Sequence, residues 1–190
     1  MSKSLILILT GPSGSGKTTL SKYLVNKYNF VKPKTYTTRG PRSEENLDSY
    51  SFITKNEFIT KINQGKMAEY VENCNNYYGS SVESFNLDKN IVISLDHRGA
   101  YSIRNMYPHR SIIVMLKISK EVMIDRINKR SVISDEQIKH RIKELEHGYN
   151  GTYDYIMEAN ANIEEVTRKI DEILCRDFKI QSHNYDQCYL

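Results

Sequence analysis

Eight residues near the N-terminus, Gly11-Pro12-Ser13-Gly14-Ser15-Gly16-Lys17-Thr18, have the types and spacing of a phosphate-holding loop, G-x-x-x-x-G-K-[ST]. Glycines let the backbone curl until successive N–H groups and a helix N-terminus face one anion. Lys17 adds a point charge and Thr18 a hydroxyl able to ligate magnesium, with Thr19 beside it. The loop stands between the apolar run Leu5-Ile6-Leu7-Ile8-Leu9 and a segment with Leu20, Tyr23, Leu24 and Tyr28 at helical spacing. That strand, loop and helix order is the setting the chemistry requires, but it specifies a nucleotide and not a reaction.

A second group is basic and phenolic. Thr37-Thr38-Arg39-Gly40-Pro41-Arg42 leads to Glu44-Glu45-Asn46, then to Asp48 and Tyr50, then to Glu69 and Tyr77-Tyr78-Gly79-Ser80. Arg39, Arg42, Tyr50 and Tyr78 supply charged and neutral donors that a phosphate dianion accepts, and the guanidinium forks match its geometry. Alone, the arginines would read as a solvated basic loop and the tyrosines as amphipathic packing, Tyr77 most of all. Asp96-His97-Arg98-Gly99 imitates the DxxG of GTPases. No NKxD element accompanies it, because Asn26-Lys27 continues as Tyr28-Asn29 and Asn128-Lys129 as Arg130-Ser131.

In this order and spacing the motifs resemble the guanylate kinase family, over about residues 5 to 175 and with one small deletion near Ser43. The resemblance implies an α/β fold: a P-loop NTPase-type parallel sheet with helices on both faces, a small GMP-binding subdomain and a mobile lid. It implies ATP-dependent phosphorylation of GMP, and of dGMP, with ATP and Mg2+ as the required partners. Residue by residue, Gly11 to Thr19 and Asn160 would bind ATP. Arg39, Arg42, Tyr50 and Tyr78 would hold the acceptor phosphate, while Thr35, Glu69, Ser80 and Asp96 would surround the guanine. Guanine presents N1–H and 2-amino donors, so buried carboxylates at Glu69 and Asp96 would accept from it where adenine offers a mismatch. Arg126, Arg130 and Arg141, the last two flanking the segment Ser131 to His140 of a lid at 131–141, would join Lys17 in stabilising charge on the migrating phosphoryl group.

Three positions depart from the family pattern. Ser94 stands where an Asp is usual, and a serine stabilises a hydrated cation less than a carboxylate does. Thr35 replaces a serine and keeps the hydroxyl, and in Asn160-Ala161-Asn162 only the first residue matches.

These residues must be positioned by a regular frame. Ile91 to Leu95, Ser111 to Leu116 and Tyr153 to Met157 read as further strands of a parallel sheet, alternating with helices at 100–106, 120–129 and from Ile163. Thr54 to Glu57 and Ser134 to Gln137 have the spacing of capping boxes, and Gly65 is placed to stop a short helix. The expected division is one domain over 1–176, with a core of 1–33, 91–130 and 142–176, an acceptor region at 34–84, the lid, and a polar tail at 177–190.

Composition narrows the class. The 190 residues are 39% hydrophobic with a net charge of +4, and no apolar run approaches the roughly 18 residues of a membrane span. Cys74, Cys175 and Cys188 form neither a CxxC nor a Cys/His cluster, so a reducing cytoplasm with no disulfide frame or zinc site is expected. Small nucleotides are the expected partners, with no nucleic acid and no membrane, and monomer and homodimer both remain open. Two other readings stay on the table: a P-loop kinase for a different phosphorylated acceptor, and a non-catalytic guanylate-kinase-like binding module.

Overall fold

Unbroken apolar runs become strands buried on both faces, and among the described residues three such strands and a more exposed fourth make one sheet. Ile6–Thr10 (β1), Ile91–Ser94 (β6), Ser111–Lys117 (β7) and Tyr155–Glu158 (β8) pair all in parallel in the order β6-β1-β7-β8. Alternate residues of β1 serve two cores. Leu7 and Leu9 pack with Leu20 and Leu24 of helix α1 (Lys17–Tyr28) and with Val166, Ile170 and Leu174 of the final helix α6 (Ile163–Phe178). Ile6 and Ile8 pack on the other face with Ala100 and Ile103 of helix α3 (His97–Met106). Met123 and Ile127 of helix α4 (Lys120–Arg130) and Leu145 of helix α5 (Asp135–His147) join the core of Leu7 and Leu9. The computed structural model describes residues 4–41, 50–73, 75–130, 134–147, 151–160 and 162–182.

A second sheet, not anticipated as strands from the sequence, lies between α1 and β6. Thr35–Thr37 (β2), Ser51–Phe52 (β3), Met67–Asn73 (β4) and Asn76–Ser81 (β5) run in the order β3-β2-β5-β4, with β2 and β3 parallel and the other pairs antiparallel. Helix α2 (Lys55–Asn63) covers one face of it: Phe58 is buried against Tyr36 and Met67 and stacks on Tyr77 at 5.3 Å. Its N-terminus is the expected capping box, with Glu57 N–H donating to Thr54 Oγ1 (3.2 Å) and Thr54 N–H to Glu57 Oε2 (2.7 Å).

The far end of the chain differs from the expected tail. Helix α6 continues to Phe178, Tyr155 donates to Asp177 (2.7 Å), and Phe178 and Ile180 pack against the core, so 177–180 belong to the folded body. Phe178 stands four residues after Leu174 and so continues the apolar face of α6 beyond the point where the sequence reading stopped, and Ile180 packs beside it. At α5, Ile138 N–H donates to the Ser134 carbonyl (3.0 Å), while the Gln137 side chain of the expected capping box lies outside the described residues. Among the described residues no helix is long and apolar enough to cross a membrane.

One carboxylate ties α1 to α6. Asp171 accepts from Tyr23 (2.7 Å), Tyr28 (2.7 Å) and Lys27 (2.9 Å). Replacing it leaves three partly buried donors without their acceptor, and Asp171→Ala is expected to lower the unfolding free energy by about 2 kcal/mol, read from the urea midpoint at pH 7.

Candidate active site

The loop between β1 and α1 has the shape an anion needs. Gly11 sits at φ +141°, and a Cβ there would come within 2.5 Å of the Leu116 carbonyl and 3.0 Å of Ser15 Oγ, so the loop crosses the end of β7 at a distance only glycine permits. Gly16, at φ +95°, caps α1 with no side-chain hydrogen bond, and the first turn carries no acidic residue. The helix therefore offers its leading N–H groups and positive dipole end to a ligand. Lys17 Nζ donates to the carbonyls of Gly11 (2.7 Å) and Pro12 (2.9 Å), which places its charge inside the loop's curve. Ser15 is buried, while Pro12, Ser13 and Gly14 are half-buried and Thr18 and Thr19 exposed.

Arg126 of α4 reaches the other side of the loop, donating to the Gly14 carbonyl (3.2 Å) and to the Asn160 carbonyl (3.3 Å). The Asn160 side chain accepts from Ser119 N–H (2.7 Å), joining the end of β8 to the start of α4. Both expected residues are thus beside the loop. Arg141 is half-buried on α5; Arg42 and the side chain of Arg130 lie outside the described residues.

The rest of the site is built in rows across the second sheet. Thr35, Ser80 and Glu69 are register partners, and so are Phe52, Thr37, Tyr78 and Val71 two residues further along. Simple alternation would put Met67 on the same face as Glu69. A bulge between Met67 and Glu69 prevents this: Met67 packs under α2, Ala68 joins the central core, and Glu69, Val71 and Asn73 turn to the opposite side. There they line a cleft of about 1140 Å3 with Thr18 and Ser21 of α1, Thr35, Tyr50, Tyr78, Ser80, Ser94 and Asp96. Arg39 stands beside it, its guanidinium 5.7 Å from the Tyr50 ring centroid, and Tyr50 meets Tyr78 edge-on at 6.3 Å.

The two carboxylates of the cleft are not equivalent. Glu69 is 6% exposed, and burial pushes its carboxyl up to about 7, the polar groups of Ser80 pulling back and Asp96 adding to the rise. The Ser80 hydroxyl is fully buried and has no hydrogen-bond partner among the described residues. Asp96 was expected to be buried with Glu69, and it is not. Its side chain is 41% exposed because it serves as the N-cap of α3: Oδ1 accepts from Gly99 N–H (2.8 Å), and Oδ2 pairs with Arg98 (3.4 Å). The DxxG likeness is this cap. Ser94, in place of the usual carboxylate, shares a hydrogen bond with Ser21 (3.3 Å).

Sequence reasoning passed over Ser21, Lys32, Lys34 and Asn73, which also line the cleft, and Phe52 behind Arg39. The two lysines carried a legible signal, a K-P-K triplet immediately before Thr35. For Asn73 and Phe52 only the register identifies the position.

The model of the family described as guanylate kinase matches residues 3–177. The chain belongs to the guanylate kinase family. It is 33% identical to a guanylate kinase of Clostridium tetani over 92% of this chain and 86% of that protein. It is 34% identical to one of Ehrlichia ruminantium over 96% and 90%. The crystal structure of guanylate kinase from Anaplasma phagocytophilum superposes with a TM-score of 0.69 at 26% identity, covering 91% of this chain and 85% of that one. The parallel sheet flanked by helices is accordingly the P-loop α/β architecture of a guanylate kinase.

Burial of Glu69 has a consequence for the free protein. With its carboxyl raised from 4.5 to about 7, the folded state holds a proton that the unfolded state releases between those values, so stability falls as pH rises through that window. The loss is on the order of 3 kcal/mol and is complete above pH 7. Glu69→Gln is expected to flatten the difference in unfolding free energy between pH 4.5 and pH 8, measured by urea denaturation without nucleotide.

Proposed function

We infer that the chain transfers the γ-phosphoryl group of ATP to GMP, giving ADP and GDP. Family membership carries the activity, and the observation that supports the assignment of roles is the arrangement of rows: a buried carboxyl at Glu69 and a phenol at Tyr78 face one cleft that α1 closes from the loop side. The row of Thr35, Ser80 and Glu69 takes the guanine, the orphaned Ser80 hydroxyl and the Glu69 carboxylate meeting its polar edge. Arg39, Tyr50 and Tyr78 take the acceptor phosphate, with Arg42 as a further cation. Asp96 contributes its outer oxygen to the base end.

Gly11 to Thr19 hold the ATP phosphates through backbone N–H groups and Lys17, while Asn160 bounds the adenine side. Thr18 and Ser94, with water and phosphate oxygens, would hold magnesium, which supplies charge neutralisation to the phosphates when bound. Arg126, Arg130 and Arg141 add positive charge toward the transferring group, the last two moved by a closing lid. Placement and charge suffice here, because the acceptor oxygen attacks phosphorus directly and needs no covalent intermediate on the protein. The setting is the cytoplasm and the task is purine nucleotide metabolism, a reading supported by a sequence whose three cysteines form neither a CxxC nor a Cys/His cluster.

A coupled ADP-release assay with ATP, magnesium and each of GMP, AMP, CMP and UMP tests this. Release is expected with GMP far above the others and to vanish in Lys17→Ala. Glu69→Gln is expected to lower kcat/KM for GMP about ten- to a hundredfold, since a charge-assisted bond to the base is lost. Equal rates with all four acceptors would overturn the assignment of the base row.

A further inference from the structure

Phe52 has no part in the roles above, yet its ring forms one wall of the space that Arg39 occupies. The Arg39 guanidinium carbon lies 5.7 Å from the ring centroid of Tyr50 and 5.8 Å from that of Phe52, and the two rings are 6.3 Å apart. A guanidinium within about 6 Å of an aromatic face is attracted by the ring quadrupole. The backbone fixes this arrangement through Thr37. That residue is fully buried and is the register partner of both Phe52 and Tyr78, its hydroxyl accepts from Arg39 N–H (3.2 Å), and its carbonyl accepts from Ile53 N–H (2.9 Å). One threonine therefore sets Arg39, Phe52 and Tyr78 relative to one another.

Packing does not account for Phe52. Its neighbour Ile53 joins the small cluster of Tyr36, Phe58 and Met67 under α2, whereas Phe52 stays half-buried and belongs to none of the buried clusters. Strand β3 is only two residues long, so it needs no large ring for its own sake. A free arginine side chain has several rotamers to lose on binding an anion, and one already resting against two rings, with its guanidinium also donating to the Gly40 carbonyl (2.8 Å), has fewer.

We propose that Phe52 is a positioning residue of the acceptor site, its ring with that of Tyr50 holding the Arg39 guanidinium beside the Tyr78 phenol so that both meet one phosphate group. This rests on the acceptor reading given above. Phe52→Leu and Phe52→Met keep apolar bulk and remove the aromatic face. Each is expected to raise the KM for GMP about three- to tenfold. The KM for ATP and the melting temperature should hold and kcat should change little, whereas Phe52→Tyr restores the wild-type KM. In an Arg39→Met background, Phe52→Leu is expected to add nothing further, because the residue acts through Arg39. Additive effects in that cycle, or wild-type KM values in both aliphatic variants, overturn the inference while leaving the kinase reading intact. A wild-type chain with no GMP-dependent ADP release overturns the kinase reading and this inference with it.

Discussion

Pairing of β5 with both of its neighbours is the constraint on which the proposed acceptor site depends. Asn76–Ser81 sets Ser80 between Thr35 and Glu69 and Tyr78 between Thr37 and Val71, so one strand aligns the polar groups of three. Side chains alternate along a strand, and a slip of one residue would carry Tyr78 and Ser80 to the face under α2. The bulge at Ala68 is the other half of this arrangement. Were 67 to 69 paired in regular alternation, with no bulge, the carboxyl of Glu69 would share the face of Met67 under α2.

On the proposed reading, that arrangement separates two opposed electrostatic demands. A phosphate dianion calls for arginine and phenol donors, while the polar edge of a guanine calls for acceptors, and mixing them would neutralise both. Rows two residues apart along a strand are separated by about 7 Å. Arg39, Tyr50 and Tyr78 gather at one row and Glu69 and Ser80 at the next. On the proposed reading, burial of Glu69 then becomes a device for discrimination. An ionised carboxylate is costly in a site where water is scarce, and a base with matching N–H donors offsets that cost where a mismatched base does not.

The proposed nucleotide-holding half works by different means. Its donors are backbone N–H groups, and what matters is the path of the chain: Gly11 passing close over Leu116, Gly16 opening α1, and Lys17 turned back into the loop. Arg126 binds that loop to α4 and to the end of β8, so three segments distant in sequence converge on one turn. The cleft between the halves is lined by Thr18 and Ser21 on one side and by the small sheet on the other.

The sequence by itself determined the parts governed by local or two-sided patterns. Unbroken apolar runs could only be strands buried on both faces, as β1, β6 and β7 are, and the loop at Gly11 to Thr18 states its backbone path in its glycines. The Thr54 cap was equally readable, because a capping box closes within one helical turn. Tertiary structure alone decided the small sheet and what its residues face. Strands of two and three residues carry no periodicity, and in β4 the bulge breaks the alternation that would have marked it. Asp96 shows the same division: its type and position suited a base contact, but which of its oxygens is committed to capping α3, and that it stays exposed while Glu69 is buried, follows from how the helix meets the strand end. Local backbone chemistry is written residue by residue, whereas the pairing of distant strands, and the burial it imposes, exists only once the chain has closed on itself.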